Sequence, residues 1–467
     1  MLNPKAPLKV EDVEALAREA PEALVHLVMV MQEQLVELRA EIGRLQARVA
    51  ELEEQNRPPS APFRRREEER SGSPKKPGRP PGHPGSCRRV PGEVDEEIEV
   101  ELWCCPHCAG ALEAKQPLVQ YLEELPPVRA HVTRLRTYEA HCPRCQRLVR
   151  SVHPRQTSTA GGCAGVQLGA RALAVAVELK HEVGLSLSKV AKVLRKVGGL
   201  KVSRGGLALA YQRISAKVAG EDAALRAQLA KAPVLHTDET SWWVNGPASL
   251  WVFVVPGAQG LTLYRVVAHR DRVTFHSIVP ADYGGLLISD CLSVYDGATP
   301  HQHKCYAHHL RALRVARCDQ HPQNAAASPW LAQVRAFLEA TMKLKIRWPT
   351  LADLERARQR AQCEVLANAL FAQPRGDPAE ERFRARIAKQ RDHLLNFLDH
   401  PQAEATNNLA ERQLRPAVIA RKVSCGQKTP RGAAAWEILA SLAATCAQRA
   451  EDFVEFLAPR LRLSPEG

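Results

Sequence analysis

Between Leu24 and Leu52 apolar residues recur in alternating steps of four and three: Leu24, Val28, Met31, Leu35, Leu38, Ile42, Leu45, Val49 and Leu52. This heptad seam runs for about four heptads, and a seam of that kind is covered by a second helix. Val28, Leu35, Ile42 and Val49 fall at a, and Leu24, Met31, Leu38, Leu45 and Leu52 at d. Mostly β-branched residues at a with leucine at d favour a parallel two-stranded coil, in which Gln34/Arg39 and Arg48/Glu53 form g-to-e pairs. The alternative is a lone amphipathic helix packed on its own domain. The sequence that follows supplies no such core, so residues 1–56 predict self-association into a homodimer or higher oligomer.

Residues 57–92 are dense in Pro and Gly (RPPSAPF, then KKPGRPPGHPGSC), which removes helix and strand options and predicts a linker. The linker is basic, in a chain of 467 residues whose net charge is +14. That balance favours an acidic partner such as nucleic acid. Lys75, Lys76 and Arg79 frame a Gly-Arg-Pro core suited to a narrow minor groove. A solvated tether with nonspecific phosphate contacts fits the same residues. No apolar run reaches the roughly 18 residues of a membrane span. The residues before Leu24 are acidic, unlike a secretory signal. A cytoplasmic protein without a membrane partner is expected.

The 13 cysteines are too many and too oddly numbered for a secreted disulfide scaffold in a chain this long. Four of them, in residues 93–155, have metal-ligand spacing: Cys105-x-x-Cys108 and Cys142-x-x-Cys145. Two such turns complete a closed tetrahedral Zn²⁺ site, which is structural rather than catalytic. The 33 residues between the pairs include the roughly alternating VRAHVTRLRTYEAHC and predict a β-hairpin excursion. Cys104 and His107 are alternative ligands. Residues 156–231 read as helices: LSLSKVAKVLRKV, a break at Gly198–Gly199, then a second helix with Ser203 as N-cap. The pattern suits a helix-turn-helix reader with Lys201, Arg204 and Arg213 toward phosphates, and equally a helical hairpin that binds nothing.

From residue 232 the pattern becomes mixed α/β. PVLHTD, SLWVFVVPG and LTLYRVVAH read as three strands in hairpin order, followed by a short helix and a further strand, GGLLISD. Two of these strands end in aspartate, Asp238 and Asp290. Carboxylates at the end of a sheet repel one another unless a cation such as Mg²⁺ neutralises them. A third carboxylate is available from the helical ATNNLAERQLRPAVIARK, where Glu411 follows Asn407 and Asn408 and is accompanied by Arg412, Arg415, Arg421 and Lys422. Such a set suits a metal ion and a phosphodiester. Taken alone it also suits strand-end aspartates and a surface ion pair. Among competing acids, alternation turns Glu239 to the opposite face of its strand. Asp296 lies in a turn, and Asp271 and Asp282 in loops. Trp242 and Trp243 fit base stacking or a core.

HTDETSWWVNG, LISDCLSVYDG, KCYAHHLRAL, and TNNLAERQLRP with ARKVSCG resemble the DDE transposases of bacterial insertion-sequence family sixty-six. The order of parts is also similar, and the resemblance covers nearly the whole chain after Leu24. It implies a multidomain α/β protein. A coiled coil, a β-rich zinc finger and a helical DNA-binding segment would precede an RNase H-like catalytic core. That core would occupy residues 232–309 and 401–467, split by an all-helical insertion at 310–400. The 120 residues between Asp290 and Glu411 accommodate the insertion. The catalytic triad falls on Asp238, Asp290 and Glu411, holding two Mg²⁺ ions for which Mn²⁺ substitutes. The implied reactions are 3′-end cleavage at the terminal inverted repeats and strand transfer to target DNA, aided by accessory proteins at the bacterial nucleoid. Cys305 and His308 would pack beneath the site or hold a second metal. Two stretches depart from the family pattern: Val423-Ser424 follow Arg421-Lys422 where an Asn and an aromatic residue are usual, and Thr406 replaces an aspartate before the paired asparagines. The competing readings are a non-catalytic DNA-binding protein derived from a transposase and a structure-directed nuclease.

Overall fold

The computed structural model describes residues 18, 20–56, 89–113, 116, 118–125, 128–161, 165–319 and 328–463. The chain divides into two compact units, Met1–Glu123 and Glu124–Gly467. Lys75, Lys76 and Arg79 lie outside the described residues.

In the first unit, helix α1 spans Pro21–Asn56. Proline at its first position loses no intrahelical hydrogen bond, because that N–H has no partner in any helix. Along its described part the seam faces solvent: Leu35, Leu38, Ile42 and Leu45 are each at least half exposed. The same unit carries the Cys105–Cys108 turn. The Ala109 N–H donates to the Cys105 carbonyl at 2.8 Å, and Ala109 adopts a left-handed φ of 57°.

The second unit opens on a hairpin of β1 (Glu139–Cys142) and β2 (Arg147–Arg150). Its turn holds Cys145 and repeats the first geometry. The Gln146 N–H donates to the Cys142 carbonyl at 2.9 Å, and Gln146 also has a φ of 57°. Residues 128–137, expected to form strand, are not paired among the described residues, whereas Tyr138 meets Ser151, whose N–H donates to its carbonyl at 2.9 Å. Alternation alone does not make a strand when no neighbour takes its backbone groups.

Four helices follow: α2 (Ala170–His181), α3 (Leu187–Gly198), α4 (Arg204–Lys217) and α5 (Ala219–Ala230). Gly199 ends α3 with a φ of 65°, and the Ser203 hydroxyl caps α4 by accepting from Gly206 N–H at 3.0 Å. Then comes a sheet of β3 (Val234–Trp243), β4 (Pro247–Val255), β5 (Leu261–Val267), β6 (Leu286–Ser289) and β7 (Gln302–Lys304), in the order β5-β4-β3-β6-β7. The first three strands are antiparallel, whereas β6 runs parallel to β3 and β7 parallel to β6. The short helix α6 (Arg272–His276) makes the crossover.

Alternate residues of β3 and β4 face different cores. Leu235, Trp251 and Phe253 pack with Leu207, Tyr211 and Ile214 of α4 and with helix α12 (Pro430–Arg449) and helix α13 (Phe453–Arg460). The helical segment of residues 170–230 therefore shares one core with the sheet. Trp242, Val252 and Val254 lie on the opposite face, against Ala410, Leu414 and Ala417 of helix α11 (Asn408–Ser424). Val234, Leu286 and Ile288 pack with helices α7 (Tyr306–Asp319), α8 (Pro329–Arg347), α9 (Asp353–Phe371) and α10 (Pro378–Lys389). These four helices occupy the stretch expected to be helical between the two parts of the core.

Helix α12 lies along β5. Glu437, Ser441 and Thr445, one turn apart, accept the N–H groups of Val266, Tyr264 and Thr262 at 2.8, 2.8 and 3.1 Å. Among the described residues, no helix is long and apolar enough to cross a membrane.

Candidate active site

Asp238 does not end its strand, as the apolar run had indicated. It is the fifth residue of β3, which continues to Trp243 because β4 pairs with it as far as Pro247. The parallel partner β6 is shorter, and its last pair with β3 is His236 with Ile288. Past that pair β3 has lost a neighbour on one side. Asp238 and Asp290 each stand two residues further on, at the C-terminal end of the parallel pair, where open α/β sheets gather ligands. The Asp290 carboxylate accepts the Leu292 N–H at 2.9 Å, and that of Asp238 accepts the Glu239 N–H at 2.9 Å.

Glu411 comes from the first turn of α11, which packs on β3 and β4. Asn407, fully buried at the helix start, fixes that turn against the sheet. Its Nδ2 donates to the Thr237 carbonyl at 2.7 Å, its Oδ1 lies 3.2 Å from His236 Nδ1, and its N–H donates to Cys305 Sγ at 3.1 Å. Asn407 thus joins α11, β3 and the start of α7. Its positioning role was not legible in the sequence, where it reads as an ordinary helix-start residue.

Asp238 senses the other two carboxylates. Burial, the neighbouring Glu239, and then Asp290 and Glu411 push the Asp238 carboxyl up to about 8. The competing acids are engaged elsewhere. Glu239 lies on the opposite face, where it pairs with Arg270 and accepts from the Tyr295 hydroxyl. Asp296 pairs with Lys389 at 2.7 Å and Lys304 at 3.6 Å and accepts from Gln390 at 2.9 Å. Asp271 caps α6 by accepting from Thr274 N–H at 2.8 Å. Among the described residues, no Lys or Arg forms an ion pair with Asp238, Asp290 or Glu411.

Glu411 has a different neighbour. His308 Nδ1 lies 3.9 Å from its Oε1, and the ligand atoms of Cys305, His308 and Glu411 all fall within 4.8 Å of one another. The C-x-x-H spacing was visible in the sequence, but its approach to Glu411 was not.

The basic residues divide. Arg412, Arg415 and Lys422 on α11 and Arg204 on α4 are exposed. Arg421 turns inward: its guanidinium donates to Thr240 Oγ1 at 3.2 Å, to Ser241 Oγ at 2.7 Å and to the Ser241 carbonyl. Trp242 is core, tilted against Trp436 with ring centroids 4.7 Å apart and donating to Gln427 at 2.5 Å, whereas Trp243 is half exposed.

The mixed sheet presents Asp238 and Asp290 at the C-terminal end of its parallel pair, with Glu411 on a packed helix, and the comparison with known families gives the class of the protein. The model of the family described as "Transposase IS66 family" matches residues 165–435, more than half of the chain. The chain belongs to the IS66 transposase family. No curated protein matches it.

Proposed function

We propose that this transposase cleaves the ends of its element and joins them to target DNA through Asp238, Asp290 and Glu411. The observation that carries this reading is the parallel register that sets Asp238 and Asp290 side by side, with Glu411 on the helix packed against β3. Burial first, and then carboxylate neighbours, raise Asp238 to about 8. Such a cluster without Lys or Arg partners is costly by itself and is relieved by a divalent cation. The strand order β5-β4-β3-β6-β7, three antiparallel strands followed by two parallel ones, supports an RNase H-like core.

The donor set fits Mg²⁺ or Mn²⁺, since all three groups offer hard oxygen ligands. Ions held there would supply activation of the attacking water or 3′-hydroxyl and stabilisation of the leaving oxygen. The protein's own contribution is positional. The parallel register sets Asp238 beside Asp290, and Asn407 anchors the turn that carries Glu411. Arg412, Arg415 and Lys422 present exposed cations to phosphates, with Arg204 a further contact on α4. Arg421 serves by holding β3 at Thr240 and Ser241.

Each Cys turn presents two thiolates to structural Zn²⁺. The matching geometry supports this: backbone N–H groups of His107 and Cys108 lower the Cys105 thiol, and those of Cys145 and Arg144 lower Cys142. The half-exposed seam of α1 supports dimerisation through a coiled coil. Lys75, Lys76 and Arg79 belong to the same DNA-contact proposal on their sequence alone.

The test is cleavage of element-end DNA in Mg²⁺ or Mn²⁺, with product analysis for strand-transfer joints. Asp290→Ala should abolish cleavage and leave DNA binding intact. Wild-type protein that binds the ends but never cuts them, with accessory proteins supplied, would overturn the catalytic reading. Cleavage without joints would make it a nuclease.

A further inference from the structure

Cys305 and His308 belong to neither the carboxylate cluster nor the Cys turns, yet they are built like half of a metal site. Cys305 begins the turn into α7 and is fully buried. Its sulfur receives the Asn407 N–H at 3.1 Å, and the backbone N–H groups of His308 and Ala307 also approach it. These donors two and three residues on repeat the arrangement at Cys105 and Cys142. They offset only in part the effect of burial, which pushes the Cys305 thiol up to about 11, so a bound cation is what would hold it as a thiolate. His308 Nδ1 is buried with no hydrogen-bond partner among the described residues and sits 3.9 Å from Glu411. An orphaned imidazole nitrogen beside a sulfur and a carboxylate has the one kind of partner missing that would satisfy all three.

We propose that Cys305 Sγ, His308 Nδ1 and the Glu411 carboxylate form a second cation site, selective for a thiophilic divalent ion of the Zn²⁺ class. Zn–S and Zn–N bonds of ~2.0–2.3 Å place tetrahedral ligands roughly 3.3–3.8 Å apart. The 4.8 Å span therefore needs only small side-chain adjustments. Sulfur and imidazole prefer Zn²⁺ or Co²⁺, while the hard oxygens of Asp238 and Asp290 prefer Mg²⁺. Binding displaces the Cys305 thiol proton to solvent and leaves a fourth coordination position open. Because Glu411 is common to both sets, occupancy by the softer ion withdraws a carboxylate from the cluster. This consequence rests on the catalytic reading above and makes Zn²⁺ an inhibitor of the Mg²⁺-dependent reaction.

The experiment is Co²⁺ titration of the full chain, following thiolate-to-cobalt charge-transfer absorption and cobalt content. Wild-type protein should take up one more Co²⁺ per chain than Cys305→Ser or His308→Gln, with the Cys turns filled alike in all three. The wild-type minus His308→Gln difference spectrum should show a thiolate band. His308 is only half-buried, so its variant serves if Cys305→Ser fails to fold. Equal uptake by wild type and His308→Gln, with no difference band, would overturn the site. In cleavage assays with Mg²⁺, the Zn²⁺ concentration that halves activity should rise at least about tenfold in His308→Gln, since losing even an outer-shell partner of a metal ligand costs about that much. An unchanged Zn²⁺ response would overturn the shared-ligand claim. A cobalt signal in a protein that never cleaves would support the site and remove only the catalytic reading.

Discussion

Asp238 on β3 and Asp290 just past the end of the parallel strand β6 occupy equivalent positions, each two residues beyond the paired His236 and Ile288. Without metal their proximity is destabilising. Asp290→Asn should therefore raise the unfolding free energy of the metal-free protein by up to about 1 kcal/mol while abolishing cleavage. Urea denaturation in EDTA checks the first effect. Mg²⁺ should raise the melting temperature of wild type but not of Asp290→Asn, by mass action on the folded state. Equal Mg²⁺ responses would contradict the assignment.

Asn407 ties α11 to β3 and to Cys305 by three polar contacts in a fully buried position. Asn407→Ala leaves the Thr237 carbonyl and His236 without their partner, which costs about 1–3 kcal/mol per buried group. It should also loosen the turn carrying Glu411. Cleavage is expected to fall more than DNA binding does, a split that side-by-side cleavage and gel-shift assays would reveal.

Gly426 follows α11 with a φ of +83°, and a Cβ there would meet the Trp243 carbonyl oxygen at 2.3 Å. The adjoining Gln427 N–H donates to that same carbonyl at 2.9 Å. Gly426→Ala should cost about 1–3 kcal/mol, since both the backbone conformation and the close approach disfavour it. Thermal unfolding would report the loss; a neutral substitution would show that this junction yields easily.

His181 packs its ring against those of Tyr211 and Trp436, with both ring nitrogens enclosed and unpartnered among the described residues, and burial of the ring, aided by Lys180, holds its pKa down to about 3. The unfolded chain therefore takes up this proton first as the pH falls. Its contribution to stability is fully present above about 6.5 and is lost toward pH 3, by about 1.4 kcal/mol per pH unit. His303 and His309, lowered to about 4 and about 3, act in the same direction. His181→Phe should reduce the slope of unfolding free energy against pH between 4 and 6 by about one proton. An unchanged slope would show that His181 is not buried as a neutral ring.

Much of the site could be read from the sequence because its signals are local. Apolar runs followed by acids marked β3 and β6, and two-residue alternation correctly turned Glu239 away from Asp238. What the sequence could not show depends on partners. β7 (Gln302–Lys304) is entirely polar and is a strand only because β6 pairs with it. Asp238 was read as ending its strand because the strand's true length is set by β4. Arg421 looks like its exposed neighbours Arg412 and Arg415, but its position on α11 brings it against Ser241. The helices of residues 170–230 read either as a helix-turn-helix reader or as a hairpin that binds nothing, and the sequence did not show that their apolar faces complete the sheet's own core.

The contacts of Glu437, Ser441 and Thr445 with β5 bear on how copies of this chain can meet. A bare outer strand invites templated addition of a strand from another molecule, and crowding on DNA would increase that hazard. Here the outward amides at Val266, Tyr264 and Thr262 already have acceptors from a helix of the same chain. That margin of the sheet is closed to runaway cross-molecular stacking, so assembly can be left to surfaces whose stoichiometry is finite.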